Sequence, residues 1–363
     1  MNALSQANKT KALAGLLSVL CLVGCASPAY YSQAISGHMK LMNQREDISA
    51  ALASSSIDPE TARKLSLSIE IRAFAVEQLS LPDNDSYSQF VQTGENAVSW
   101  NVVAAPEFSL KPRQWCFMVA GCVPYRGYFK AGAAAKFADK LSRDGFDTDV
   151  SPAIAYSTLG WFDDPLLDTM LQYNDEQLAA LIFHELAHQQ LYVKGDTAFN
   201  EAYASFVEET GVRLWLESRG QSDLLPQWQQ RETASLQLNA LLRATRKKLG
   251  GLYASNLPES RMRAEKAAIF DELREAYKRL VEEEWNGRSY FASFISDELN
   301  NANLALINSY QGGACAFAGL YADAGENLAH FQELAAIKAS LKASQRANWL
   351  NQPCDVIASN DDL

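Results

Sequence analysis

The stretch "LIFHELAHQQ", positions 181 to 190, sets His184 and His188 four residues apart, with Glu185 beside the first. On a helix, residues four apart share a face with Cβ atoms about 5 to 6 Å apart, near enough for both imidazoles to reach one ion. A hydrolytic zinc centre asks for more: a third protein ligand, an open fourth position for water, and a carboxylate free to take a proton from that water. Glu185 has the place of that general base. The third ligand has to come from the acidic residues that follow, Asp196, Glu201, Glu208 or Glu209. The bland alternative is a helix that happens to carry two histidines. Against it, the motif uses half of the four histidines in the chain, and Leu178, Leu181 and Ile182 give its helix a core-facing side. His38 and His330 stand alone and read as structural.

The elements that must hold these side chains are mostly helical. Asn174-Asp175-Glu176-Gln177 offers an N-cap with a glutamine three residues on, and Gly195 is a terminator, so a helix is expected over 174–194. After the glycine, "DTAFNEAYASFVEETG" (196–211) predicts a second helix capped by Thr197. Upstream, Gly37 to about Ser80 reads as a helical pair, with Asp58-Pro59-Glu60 as a start signal. Downstream, two polar amphipathic stretches, about 226–250 and 259–286, flank the breaker "GGLYASNLPES" and predict an antiparallel hairpin with solvated faces. Between the helical regions lie "SWNVVAAP" (99–106), "WCFMVA" (115–120), "YRGYF" (125–129) and "AIAYSTLGWF" (153–162), short β-branched or aromatic runs that predict a small sheet. The alanine-rich "KAGAAAKFADKLSRDG" before the last run predicts a helix laid on it. The fold class expected is therefore α+β, predominantly α-helical: a small sheet at about 98–162 beside a helical core. The expected domain covers 37–350, followed by a tail over 351–363.

Composition narrows the function. A chain of 363 residues that is 48% hydrophobic has ample core for an enzyme. Its formal charge of −11 argues against a nucleic-acid partner, which would call for a basic face. Lys9 and Lys11 precede an apolar run from Ala12 to Val23, the pattern of an export signal and too short to read as a membrane span. Leu22-Val23-Gly24-Cys25 resembles a bacterial lipobox. The resemblance implies a signal peptide over 1–24, lipidation of Cys25, a tether over 25–36 and, with Ala26 next, sorting to the outer membrane facing the periplasm. Four cysteines remain, Cys116, Cys122, Cys315 and Cys354, and an even number in an oxidising compartment predicts two disulfides. The pairing expected is Cys116 with Cys122, across the short "FMVAG" turn, and Cys315 with Cys354. Neither pair has the spacing of a zinc knuckle.

"FNEAYASF" (199–206) resembles the asparagine-glutamate-small-aromatic-alanine segment of gluzincin aminopeptidases, whose glutamate completes the zinc site. The resemblance makes Glu201 the third ligand and implies a zincin-like core. Glu208, seven residues on, is then a solvated or supporting carboxylate. One departure is clear: twelve residues separate His188 from Glu201, fewer than in familiar gluzincins, so the connecting turn must be tighter. More widely, "KPRQWCFMVAGCVPYRGYF", "AYSTLGWFDDPLL", the histidine helix and "YVKGDTAFNE" resemble a family of bacterial lipoproteins described as "putative aminopeptidases". That likeness spans most of residues 98–215 and implies a zinc cofactor and a peptide substrate. In related peptidases the region of "TLGWF" (158–162) is an edge strand that pairs with substrate backbone; the alternative is a buried strand end with Trp161 in the core. Asp163 and Asp164 are candidates for holding a substrate α-ammonium. Tyr310, in "LINSYQGG", is a candidate donor to the tetrahedral oxyanion, or else a core tyrosine. Two other functions compete: a structural or binding lipoprotein whose metal site is closed by a fourth ligand such as Glu208 or Asp196, and an envelope endopeptidase. Residue preference and oligomeric state are not legible in the sequence.

Overall fold

Capping chemistry marks where several of the helices start. The computed structural model describes residues 28–117, 121–155, 163–307 and 313–351. It opens with α1 (Pro28–Asn43) and α2 (Ile48–Ala53). The expected tether to residue 36 is thus corrected: the chain is helical from Pro28 on. An aromatic anchor accounts for it. The Tyr30 ring stacks on Phe117 at 5.3 Å and meets Tyr128 at 5.6 Å, with the Arg126 guanidinium 4.0 Å above it. Next, α3 (Pro59–Leu79) starts on Asp58, whose carboxylate accepts from the backbone N–H of Glu60 and Thr61.

Three small sheets follow. One joins β1 (Glu46–Asp47), β2 (Gln89–Val91) and β8 (Leu166–Leu167), with β2 antiparallel to β1 and parallel to β8. A second is antiparallel, in the order β6 (Arg126–Tyr128), β3 (Ser99–Pro106), β7 (Phe146–Ala153). The third is the hairpin β4 (Trp115–Phe117) and β5 (Gly121–Val123), in which Cys116 and Cys122 are register partners joined by a disulfide. β3 and the helix α4 (Ala131–Arg143) fall where the sequence puts them, and Ala134, Ala138 and Leu141 of α4 pack on Val102 and Ala104 of β3. Of the run expected as a strand at 153–162, only residues 153–155 are described, and of these only Ala153 lies in a strand. The strand is Phe146–Ala153, ending where that run begins, and residues 156–162 lie outside the described residues. Aspartates, threonine and proline hide β7 from a reading based on apolar content, yet its full length pairs with β3.

The remaining helices are α5 (Asp175–Gln190), α6 (Thr197–Ser218), α7 (Leu225–Tyr253), α8 (Glu259–Arg279), α9 (Asn301–Ala305), α10 (Ala314–Asp323), α11 (Leu328–Ala339) and α12 (Ala343–Leu350). The fold is therefore α+β and predominantly helical, as the sequence implies. The largest core gathers α3, α5, α6, α10, α11 and the β2/β8 strands around Leu65, Phe90, Phe183, Phe199, Tyr203 and Phe331. The hairpin α7/α8 is not merely a solvated pair. It closes a second core with Trp285, Leu299 and Leu304, and its Arg263 and Lys266 bond Glu107 and Asp147 beside the second sheet. Among the described residues no helix is long and apolar enough to cross a membrane. Cys25 and Cys354 lie outside the described residues, whereas Cys315 is disulfide-bonded.

Candidate metal centre

The site is built on two consecutive helices, and local chemistry dictates how they meet. α5 begins with a reciprocal capping box, the Asn174 side chain accepting from Gln177 N–H while the Gln177 side chain accepts from Asn174 N–H. Leu178, Ile182, Phe183 and Leu186 are fully buried and fix its rotation. The helix stops at Gln190, four residues short of the expected 194, because Leu191 turns extended. The reason lies in the next helix: Asn200 accepts from Val193 N–H at 2.8 Å and donates to Val193 C=O at 3.0 Å. That pair of bonds, with Gly195 at φ +80°, makes the tight turn that the short spacing to Glu201 requires. The cap of α6 is Asp196 rather than Thr197. Its carboxylate accepts from Phe199 N–H and pairs with Arg346 at 2.8 Å.

Close approach of the helices is built in as well. A Cβ on Gly211 of α6 would stand 2.7 Å from Leu79 and 2.8 Å from Phe183, so only glycine admits both neighbours at this distance. Phe183 precedes His184, which ties this contact to the site.

His184, His188 and Glu201 converge, each offering one donor atom within 4.8 Å of the others. The two Nε2 atoms are 3.1 Å apart, and each lies 3.6 Å from a different Glu201 oxygen. Donors around a tetrahedral zinc at about 2.0 to 2.1 Å stand about 3.3 Å from one another, so this set fits such an ion. Glu208, two turns beyond Glu201, accepts or shares a proton at His184 Nδ1 at 2.8 Å, on the side of the ring away from the group. Asp196 is committed to Arg346, and Glu209 is not part of the group. Among the described residues the site thus has three protein donors, which is short of the four that a closed structural site requires.

The charges tell the same story. Burial depresses the basicity of His184, but the nearby Glu201 carboxylate and the hydrogen-bonded Glu208 outweigh that and push its pKa up to about 10. His188 goes the other way, to about 4, through burial and the neighbouring His184 cation. The His184 imidazolium 3.6 Å away holds Glu201 below the usual carboxylate range. Two imidazoles and a carboxylate so arranged share one positive charge, the role that a bound cation would take over. Glu185 lies half-buried on the next face of α5. Tyr192, half exposed, sets its ring edge-on to His188 at 6.5 Å and forms an aromatic rim. From the hairpin, Glu232 of α7 reaches the same acidic side. Burial first, then Glu208 and Glu209, push its pKa up to about 7.

Several expectations are placed or corrected by this geometry. Asp164 is fully buried and presents no open carboxylate to a substrate amine, while Asp163 is exposed. Tyr310 and Trp161 lie outside the described residues, although Gly313, three residues after Tyr310, abuts Ala202 next to Glu201. His330 sits exposed in the first turn of α11, and neither it nor His38 joins the group. The contributions of Asn200, Tyr192 and Glu232 escape a reading by motif. Only the asparagine had a signal, its place in "FNEAYASF".

No curated protein and no solved structure matches the chain. A family model does, over residues 29–350, under the description "Putative aminopeptidase". The match takes in the N-terminal helices, the sheets, the histidine helix and the hairpin alike. It supports a peptidase-like function. On that coverage the chain belongs to the family described as "Putative aminopeptidase".

Proposed function

We propose that the protein is a zinc-dependent aminopeptidase, held at the outer membrane by a lipid on Cys25 and facing the periplasm. The observation that carries the catalytic part is the convergence of His184, His188 and Glu201 within 4.8 Å, with Glu185 on the adjoining helical face. A divalent ion bound there supplies Lewis-acid polarisation of a peptide carbonyl. The chain's own groups do the rest. Glu185 takes the proton of the attacking water and delivers it to the leaving amine. Glu208, bonded to Nδ1, fixes which nitrogen of His184 is left for the ion. The lipobox at 22–25 supports the anchoring, and the disulfides suit an oxidising compartment.

The test is metal content by elemental analysis on the soluble form lacking residues 1–25, together with hydrolysis of free and N-blocked peptides. One zinc per chain and chelator-sensitive cleavage of free peptides alone is the expected result. Glu185→Gln should retain zinc and lose turnover. Cleavage that persists on N-blocked peptides would make the protein an endopeptidase, and stoichiometric zinc with no cleavage in any variant would return the site to a structural role.

A further inference from the structure

Helix α1 has an inner and an outer side, and local contacts decide which is which. Gln33, Gly37 and Leu41 are spaced four apart and share the inner face. The Gln33 side chain donates from Nε2 to Gly127 C=O at 3.3 Å and accepts at Oε1 from Phe129 N–H at 3.2 Å. A Cβ on Gly37 would run into the Phe129 ring, and Leu41 is buried. With the Tyr30 anchor, these contacts fix the rotation of the helix. Ile35 and Met39 each stand two residues from Gly37, about 200° round the axis, and so point away from the protein. They are 62% and 51% exposed. Tyr31, half-buried, lies one turn before Ile35 and completes a stripe at 31, 35 and 39.

Single exposed apolar residues are ordinary on a protein surface. Two further facts set this stripe apart. The chain carries a formal charge of −11, yet its first acidic residue is Glu46, while Lys40 and Arg45 precede it. The segment is therefore cationic on an acidic protein, which suits an anionic surface. The second fact is place. Only three residues of chain, about 11 Å at full extension, separate the lipobox Cys25 from Pro28, where α1 begins. The polar layer of one leaflet is itself about 5 to 8 Å thick. A lipid on Cys25 thus starts α1 at the membrane surface.

We propose that α1 is an interfacial helix that lies on the lipid leaflet with Tyr31, Ile35 and Met39 turned into it. The inference rests on the reading of Cys25 as lipidated. Apolar side chains of such a helix reach about 5 to 10 Å into the boundary between headgroups and acyl chains. Tyrosine suits that boundary because its ring is apolar and its hydroxyl is wet. Lys40, exposed one position beyond Met39, extends its ammonium to anionic headgroups. The lipid then holds the protein at the membrane, and the stripe sets which side of it faces the leaflet.

The experiment uses the mature protein bound to vesicles of phosphatidylethanolamine and phosphatidylglycerol. Hydroxyl-radical footprinting reads side-chain exposure, and mass spectrometry of the N-terminal peptide reads lipidation. Labelling of Ile35 and Met39 should fall at least about 10-fold on vesicles, while Leu236 and Ile337, exposed on other helices, stay within twofold. Unchanged labelling of Ile35 and Met39 on vesicles overturns the proposal. So does protection that rises with protein concentration in the absence of vesicles, which would assign the stripe to a second copy of the chain. If Cys25 carries no lipid, the anchoring reading fails. The interfacial role then stands only if the unlipidated protein still sediments with the vesicles and the double variant Ile35→Ser/Met39→Ser binds them about 10- to 100-fold more weakly; absence of sedimentation overturns it.

Discussion

Glu208 is the residue whose role separates a tuned metal site from two histidines that happen to be near an acid. Its carboxylate lies 2.8 Å from His184 Nδ1, with the side chain three-quarters buried, so the contact is a charge-assisted hydrogen bond in a partly dry setting. Removing such a partner from a ligating imidazole costs about 10- to 100-fold in metal affinity, or about 1.4 to 2.8 kcal/mol. Glu208→Gln keeps an acceptor at the same place but loses the charge, so it should fall at the lower end of that range; Glu208→Ala should fall at the upper end. The zinc dissociation constant, measured by competition with a chromophoric chelator at neutral pH, is the readout. Glu201→Ala, which deletes a donor of the group itself, should weaken zinc far more than either. If both Glu208 variants bind zinc within twofold of the wild type, the carboxylate does not orient His184 and the site logic fails.

Three other perturbations test the scaffold and its charges. Gly211→Ala should lower stability: forcing a methyl against Leu79 and Phe183 costs about 1 to 3 kcal/mol, and alanine's better helix propensity returns only about 1; an unchanged urea midpoint would refute the close-packing argument. Asp196→Ala removes a helix cap and strands a buried Arg346 guanidinium, so a loss of about 3 to 5 kcal/mol is expected by the same measurement. Glu232 has its pKa raised in the fold from 4.5 to about 7, so its stabilising contribution is fully present below pH 4.5 and is lost as pH rises through 7. Glu232→Gln should therefore flatten the fall in stability between those pH values and be the more stable protein at pH 8, by at most about 3 kcal/mol; a slope identical to the wild type would show that Glu232 is not held in that acidic, desolvated corner.

What the sequence made legible were features with a local cause. Asn174 and Gln177 name each other as a capping box, Asp58-Pro59 names a helix start, and the four-residue spacing of His184 and His188 puts them on one face whatever surrounds them. Cys116 and Cys122 were readable for the same reason, since a chain that folds back across five residues brings its ends together. What stayed hidden depends on partners far along the chain. β7 forms because β3 supplies a full row of hydrogen bonds to it, and nothing in "FDTDVSPA" announces a strand. β2 and β8, with three and two residues, are strands only because β2 pairs with β8 on one side and with β1 on the other. Asp164 read as a substrate contact because an acidic pair near the motif looks available; the fold buries it against Ser86 and Tyr87 instead.

The short spacing between His188 and Glu201 shows how the two kinds of information combine. Twelve intervening residues are too few for a wandering loop between two antiparallel helices, so a strained or open site would be one outcome. The observed turn avoids it by ending α5 early and spending Asn200, the residue before the acidic donor, on both polar groups of Val193. Asn200 is buried, so those two bonds are sheltered from water and fix the register of α6 to within a hydrogen bond's tolerance. Register is what the site needs, because a rotation of α6 by one residue, about 100°, would swing Glu201 off the imidazoles and Glu208 off Nδ1 together. The asparagine and the glutamate of "FNEAYASF" therefore act as one unit: the first sets the phase of the helix and the second uses it.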